Sequence, residues 1–226
     1  MKTLLASLLS LTAVAASAQI EYQFDDVRRK VTLNDSAIAK GQHAKSGDEV
    51  ETGWFSYALI ASPGSRAKFE IFSATNVRLA DGTAGVILSV ERGRIRAAFD
   101  KIVGTEPRVV KTPGALLAVR GTKFDVEVDA NGKTTVDVFE GLVEMQSPTF
   151  SQPIFVRPGE QSTFGRRGER PSVHPMPEER RQRGPEGHRE PRSDDGHRRE
   201  PSRDGGGERR PSPPPPSDRK PPEESF

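Results

Sequence analysis

Between Phe124 and Val138 apolar and polar residues alternate on both sides of an Asn131-Gly132 pair, a pattern that predicts an antiparallel hairpin. Phe124, Val126 and Val128 fall between Lys123, Asp125, Glu127 and Asp129, so an extended segment here has one dry face and one wet face. Asn-Gly suits a two-residue type I′ loop, in which both central residues take positive φ. Val136 and Val138 resume the alternation, with Thr135, Asp137 and Phe139 around them. The hairpin lies in a stretch, Arg108 to Met145, that reads throughout as strands and tight turns.

The same signs extend upstream. Val31-Thr32-Leu33 is a short run stopped by Asn34-Asp35, and Gly41 and Gly47-Asp48 mark further turns. After Pro63-Gly64, Ala67, Phe69 and Ile71 alternate with Lys68 and Glu70. Val77 to Leu79 ends at Asp81-Gly82, and Val86, Leu88 and Val90 follow. Turn signals about every ten residues, without a 3.6-residue period, predict an all-β domain, solenoid-like or a twisted two-layer sheet. Trp54, the only tryptophan, either packs on that sheet or lies exposed as an anchor, and packing is the favoured expectation.

One spacing recurs. Val90-x-x-Gly93-x-Ile95 and Val138-x-x-Gly141-x-Val143 share a form, preceded at equal distance by Leu88 and Val136, and Val50-x-x-Gly53-x-Phe55 is a weaker copy. Apolar residues occupy even positions before each glycine and odd positions after it, so the buried face has to switch. A β-bulge or corner at the glycine accomplishes this. Pro158-Gly159 marks the last turn of the domain.

Arg120 closes the apolar run Ala115 to Val119 and precedes Gly121-Thr122. Its guanidinium either reaches solvent over a buried stem or forms a bidentate pair with Glu140 that pins two strand ends, with Thr122 satisfying a turn amide. The pair is the favoured expectation, as structure rather than catalysis.

The two ends differ from this body. Lys2, the apolar run Leu4 to Val14 and Ala16-Ser17-Ala18 have the three regions of a secretory leader, with cleavage expected after Ala18. The run is too short to span a membrane, and the expected product is exported, to the periplasm or beyond, without a transmembrane helix. From Arg166 onward the chain holds most of its 19 prolines and almost no large apolar side chains. Such a segment cannot offset chain entropy of roughly 1–2 kcal/mol per residue, and disorder is expected. The organisation is thus a leader over 1–18, a lead-in strand over 19–40, a β domain over 41–165 and a Pro/Arg/Glu-rich tail over 166–226.

The chemistry-bearing residues are sparse. No cysteine is present, which removes thiolate nucleophiles and Cys-ligated metals. His43 sits in a polar turn, and His174, His188 and His197 lie in the tail at spacings that match no metal site. Asp48, Glu49 and Glu51 cluster near a turn but lack a calcium-loop spacing, and a solvated edge is favoured. Gly205-Gly206-Gly207 lacks the flanking strand and helix of a phosphate loop. No cofactor, metal or catalytic set is expected. The 34 basic and 32 acidic residues nearly balance, and the tail pairs Arg166-Arg167, Arg180-Arg181 and Arg209-Arg210 lie near acids and without stacking aromatics, which argues against nucleic acid. Those pairs remain candidates for acidic polysaccharide, with salt-sensitive affinity.

Several of these segments, in order, resemble a FecR domain, the exported domain first associated with iron-dicitrate sensing. They are Val110-Lys111-Thr112-Pro113, Val119-Arg120-Gly121-Thr122-Lys123-Phe124-Asp125-Val126, Thr135-Val136-Asp137-Val138-Phe139-Glu140-Gly141-Leu142-Val143 and Val156-Arg157-Pro158-Gly159-Glu160. Upstream, Gly47 to Gly53 and Ser65 to Ile71 resemble the family's early strands, so that the similarity runs from about Gly41 to Phe164. The resemblance implies an all-β, solenoid-like domain with a role in envelope signalling and no enzymatic activity. In the family's sensors a cytoplasmic sigma-regulating segment and a membrane helix precede the domain, whereas here only a cleavable leader does. The resulting expectation is an exported module that binds an envelope protein through its sheet. The alternative is a structural envelope component whose tail associates with acidic polysaccharide or cell-wall polymers.

Overall fold

The computed structural model describes residues 20–101, 108–147, 151–165 and 171–184. The leader over 1–18, Arg166, Arg167, and the tail beyond residue 184 with Arg209 and Arg210 lie outside the described residues. The chain divides into two units, 1–188 and 189–226, and every described residue belongs to the first.

The expected all-β domain is present as one 15-stranded sheet. Its strands are β1 (Glu21–Arg28), β2 (Val31–Leu33), β3 (Ser36–Ala37), β4 (His43–Lys45), β5 (Glu49–Thr52), β6 (Tyr57–Ser62), β7 (Ala67–Ile71) and β8 (Asn76–Leu79), then the long β9 (Val86–Phe99). β10 (Arg108–Lys111), the long β11 (Leu116–Val128) and β12 (Thr134–Gln146), β13 (Ile154–Val156), β14 (Glu160–Phe164) and β15 (Ser172–Pro175) follow, before a short helix α1 (Glu178–Gln182). The main path runs β15-β14-β12-β11-β10-β9-β7-β6-β1-β4, with β2, β3, β5 and β8 joined through β9 and with β13 on β12. Only the β9–β10 pairing is parallel among those described. β1 lies between β4 and β6, so the lead-in strand is built into the domain.

The inward faces form one continuous core from Tyr22 and Phe24 to Phe164. At its centre Phe99 meets Phe69 edge-on at 5.6 Å and stacks on Phe124 at 6.2 Å. Truncating a fully buried ring such as Phe124 to alanine costs about 3–5 kcal/mol. Tyr22 enters the core because its hydroxyl donates to the Ile87 carbonyl, and burial pushes that hydroxyl well above its usual pKa.

The corner glycines behave as the sequence requires. Gly93 (φ 95°), Gly121 (φ 57°) and Gly141 (φ 78°) lie inside β9, β11 and β12 and take positive φ. At each the buried side chains change parity, from Val90 to Ile95, from Val119 to Phe124 and from Val138 to Val143. Each long strand thereby serves two sets of neighbours: β9 pairs with β8 and β10 before Gly93 and with β7 and β11 from Gly93 onward. The backbone freed at the first corner is satisfied by Thr75, whose hydroxyl accepts from the Arg94 amide at 2.9 Å and contacts the Arg94 carbonyl at 3.2 Å. The third copy is different: Gly53 is absent from the positive-φ residues, and its neighbour Phe55 takes φ 57° instead.

The predicted hairpin forms, but with another turn. Asn131 is not among the positive-φ residues, whereas Gly132 is (φ 81°), and the Gly132 amide donates to the Asp129 carbonyl at 3.0 Å. The Asp129 carboxylate accepts from the amides of Asn131 and Lys133 at 2.8 and 2.9 Å. That side chain holds the loop in a longer, singly left-handed form in place of type I′.

The larger correction concerns the tail. Residues 171–184, expected to be disordered, contain β15 and α1, and Met176 is 3% exposed. One buried thioether and a set of ion pairs supply what composition alone does not show.

Candidate interaction site

The wet face of the sheet carries a lateral row of polar residues, one per strand, directly opposite each other: Glu70 on β7, Arg96 on β9, Asp125 on β11, Asp137 on β12, Gln161 on β14 and His174 on β15. The row follows from period-2 alternation, since all six point away from the core in strands in register. Asp125 and Asp137 are adjacent like charges, which on their own would destabilise the pairing. Arginines resolve this. Arg96 Nε donates to Asp125 Oδ1 at 2.7 Å and Arg94 Nη2 to Asp125 Oδ2 at 2.5 Å, while Gln161 Nε2 donates to Asp137 Oδ1 at 2.5 Å.

The C-terminal segment closes over this row. β15 pairs with β14, and α1 places Arg180 so that Nη1 donates to Asp137 Oδ2 at 2.9 Å and Nη2 to Glu127 Oε2 at 2.8 Å. Burial works against the Arg180 charge, but the two carboxylates outweigh it and hold its pKa above the usual value. Arg96 Nη2 donates to the Arg183 carbonyl at 2.5 Å, and its guanidinium lies 5.4 Å from the centre of the Phe139 ring. Three guanidinium groups thus face Asp125, Glu127 and Asp137. Asp125 and Asp137 are nearly inaccessible, at 2% and 1% exposure.

Other predicted residues are placed otherwise. Arg120 is exposed and makes no hydrogen bond or ion pair to the described residues; the register that runs through the β11–β12 hairpin sets it opposite Leu142. Glu140 stands opposite Lys123 and pairs with it at 2.7 Å, so the expected Arg120–Glu140 pair is replaced by an exposed Lys123–Glu140 pair. Thr122 is fully buried beneath Gly141, and its hydroxyl has no hydrogen-bond partner among the described residues; it does not satisfy a turn amide there. Gly159 turns the chain between β13 and β14 at φ 81°, following Pro158. Of the tail pairs, Arg180 is committed to the sheet, and Arg181 is exposed with Glu178 3.9 Å away.

The acidic group near Gly47 is divided among separate partners. Asp48 accepts from Asn34 and the Lys45 amide, both at 2.9 Å, and Glu49 from Asn76 at 2.6 Å and Arg78 at 3.1 Å. A shallow cleft of about 350 Å³ lies between Arg78, Asp81, Ser89 and Lys111. There burial raises the Asp81 pKa, yet hydrogen bonds from Lys111 and Thr83 win and bring it down to about 2. Trp54 does not pack on the sheet: it is 79% exposed, beside Phe55 at 76%, in the turn between β5 and β6. No helix among the described residues is long and apolar enough to cross a membrane.

The family model described as FecR protein matches residues 48–144, and the chain carries a FecR domain over that stretch. No curated protein matches. Two crystal structures of a candidate anti-sigma factor from Parabacteroides distasonis, at 2.50 and 1.65 Å resolution, are similar at 20% identity, with TM-scores of 0.47 and 0.48. Each match covers 57% of this chain and 59% of the other, so the chain spans less than two thirds of those structures.

Proposed function

We propose that the chain is a non-enzymatic, exported signalling or protein-interaction module of the cell envelope. The FecR match over residues 48–144 carries this reading. The wet-face charges support it, because Asp125 and Asp137 spend their acceptor capacity on Arg94, Arg96, Gln161 and Arg180 and offer no free base to a substrate. Among the described residues β4 and β15 end the main path of the sheet, and each offers a protein partner an edge on which to add a strand.

The test places a photo-crosslinking residue at Val173 on β15 or at Lys45 on β4 in the full chain and irradiates intact cells. A discrete adduct of constant mass from one edge supports the reading. Absence of adducts from both edges, or recovery of the chain in the cytoplasm with its leader intact, overturns it. The second reading, association of the tail with acidic polysaccharide or cell-wall polymers, is favoured only by the exposed Arg181. It predicts that a chain ending at Gly184 and carrying Arg181→Glu loses salt-sensitive retention in the envelope fraction.

A further inference from the structure

The turn from Gly53 to Ser56 presents the two most exposed large apolar side chains among the described residues, Trp54 and Phe55. The turn is firmly built. The Gly53 amide donates to the Lys30 carbonyl at 2.9 Å, the Lys30 amide to Ser56 Oγ at 3.1 Å, and the Ala74 amide to the Gly53 carbonyl at 3.1 Å. Phe55 is held at φ 57°, a conformation that a bulky residue rarely adopts and that costs free energy. The fold therefore maintains, at some expense, a turn that places two adjacent aromatic rings in water.

The neighbouring turn joins β1 to β2 and carries three consecutive exposed cations, Arg28, Arg29 and Lys30. Arg28 pairs with Asp26 at 2.7 Å. Arg29 and Lys30 have no carboxylate partner among the described residues, and the Arg29 guanidinium lies 5.8 Å from the centre of the Phe55 ring. The hydrogen bonds between Lys30, Gly53 and Ser56 fix the aromatic and basic turns side by side.

We propose that these two turns form a tip that docks on an anionic lipid surface, with Trp54 and Phe55 entering the interface and Arg29 and Lys30 facing phosphate headgroups. Tryptophan is enriched at the depth where apolar and polar groups meet, and basic residues beside it draw the chain to anionic lipid. Two rings bury roughly 300–500 Å² together, well short of the about 800 Å² per partner of a stable protein interface. Arg29 lies over Phe55, where a stacked sugar would need a bare ring face.

Trp54 is the only tryptophan, so its fluorescence reports on this tip alone. The full chain is titrated with vesicles of phosphatidylglycerol and phosphatidylcholine, and with phosphatidylcholine alone. The expected result is a blue shift of Trp54 emission and quenching by brominated acyl chains with the anionic vesicles only. Phe55→Ser and the double variant Arg29→Glu/Lys30→Glu should each weaken vesicle binding roughly tenfold or more, with unchanged circular dichroism. Sedimentation with vesicles while Trp54 emission stays unshifted would place the contact elsewhere and overturn the proposal. So would a shift produced by a soluble acidic polysaccharide and not by vesicles, which would identify a glycan site. A shift on concentration alone, with a dimer mass by light scattering, would identify a second copy as the occupant and overturn it too.

Discussion

Arg180 and Asp137 meet at 2.9 Å across 43 residues of sequence, one on a five-residue helix and the other at 1% exposure within β12. Arg180→Ala leaves Asp137 beside Asp125 with Gln161 as its remaining donor. The expected loss is about 1–3 kcal/mol, read as a lower denaturant midpoint at unchanged m-value. Arg180→Lys should recover only part, because one ammonium lacks the fork that reaches both Asp137 and Glu127.

Truncation separates the strap formed by β15 and α1 from the rest of the tail. A chain ending at Gly184 should melt like the full chain, whereas one ending at Gly165 loses β15, Met176 and Arg180 together and should melt lower. Equal melting temperatures for the two truncated chains would show that the strap contributes nothing to stability.

The corner glycines divide into crowded and open sites. At Gly141 an added Cβ would lie 2.5 Å from the Gly121 carbonyl oxygen and 3.0 Å from Thr122 Cα, whereas at Gly159 nothing lies within 4 Å. Gly159→Ala should cost about 1–2 kcal/mol from backbone strain alone. Gly141→Ala should cost clearly more, and comparable chemical-denaturation midpoints for the two variants would refute the distinction.

Arg120→Ala should change stability by no more than about 0.5 kcal/mol, since the side chain is exposed and unpaired among the described residues. Glu140→Ala removes only an exposed pair with Lys123 and should cost about 0–1 kcal/mol, less at high salt. Thermal melts of both variants in low and high salt check this.

Asp81 links stability to acid. Its folded pKa of about 2 lies below the ordinary 3.8, so its contribution is present above about pH 4 and is lost as pH falls through about 2. Lys111 is 41% exposed, and solvent screening limits the expected cost of Asp81→Asn near neutrality to about 1 kcal/mol. The two proteins should converge in stability near pH 2, which denaturant titrations at a series of pH values can follow.

Much of the sheet was legible in the sequence because each relevant rule acts over a few residues. Alternation located Phe69 and Phe124 in strands, and the parity change around Gly93 and Gly141 announced two corners. Long-range choices were hidden. The register that pairs Arg120 with Leu142 and Phe124 with Val138 already keeps Glu140 away from Arg120, and a local one-residue shift then sets Glu140 opposite Lys123; alternation shows neither. Trp54 misled because hydrophobicity predicts burial on average and cannot identify a turn that holds its side chain outward. The strap escaped because its few anchors, Met176 and Arg180, sit in a Pro- and Arg-rich background and find their partners on β strands far away in sequence. The polar row had a visible signal, an outward charged residue at matching strand positions, but assembling it required the strand order.

The glycine corners also make the long strands tolerant of length changes at particular points. Ordinarily a one-residue insertion in a strand inverts every side chain beyond it. Beside Gly141 the ladder is already locally irregular, with Gly121, Thr122 and Gly141 standing outside a register that is the same on both sides, and an added residue there can be absorbed as a wider bulge while Val136 and Val143 keep their faces. Inserted at Val136, the same residue would drive Asp137 into the core. Drift in sequence length within such a sheet should therefore collect at its bends as well as in its surface loops.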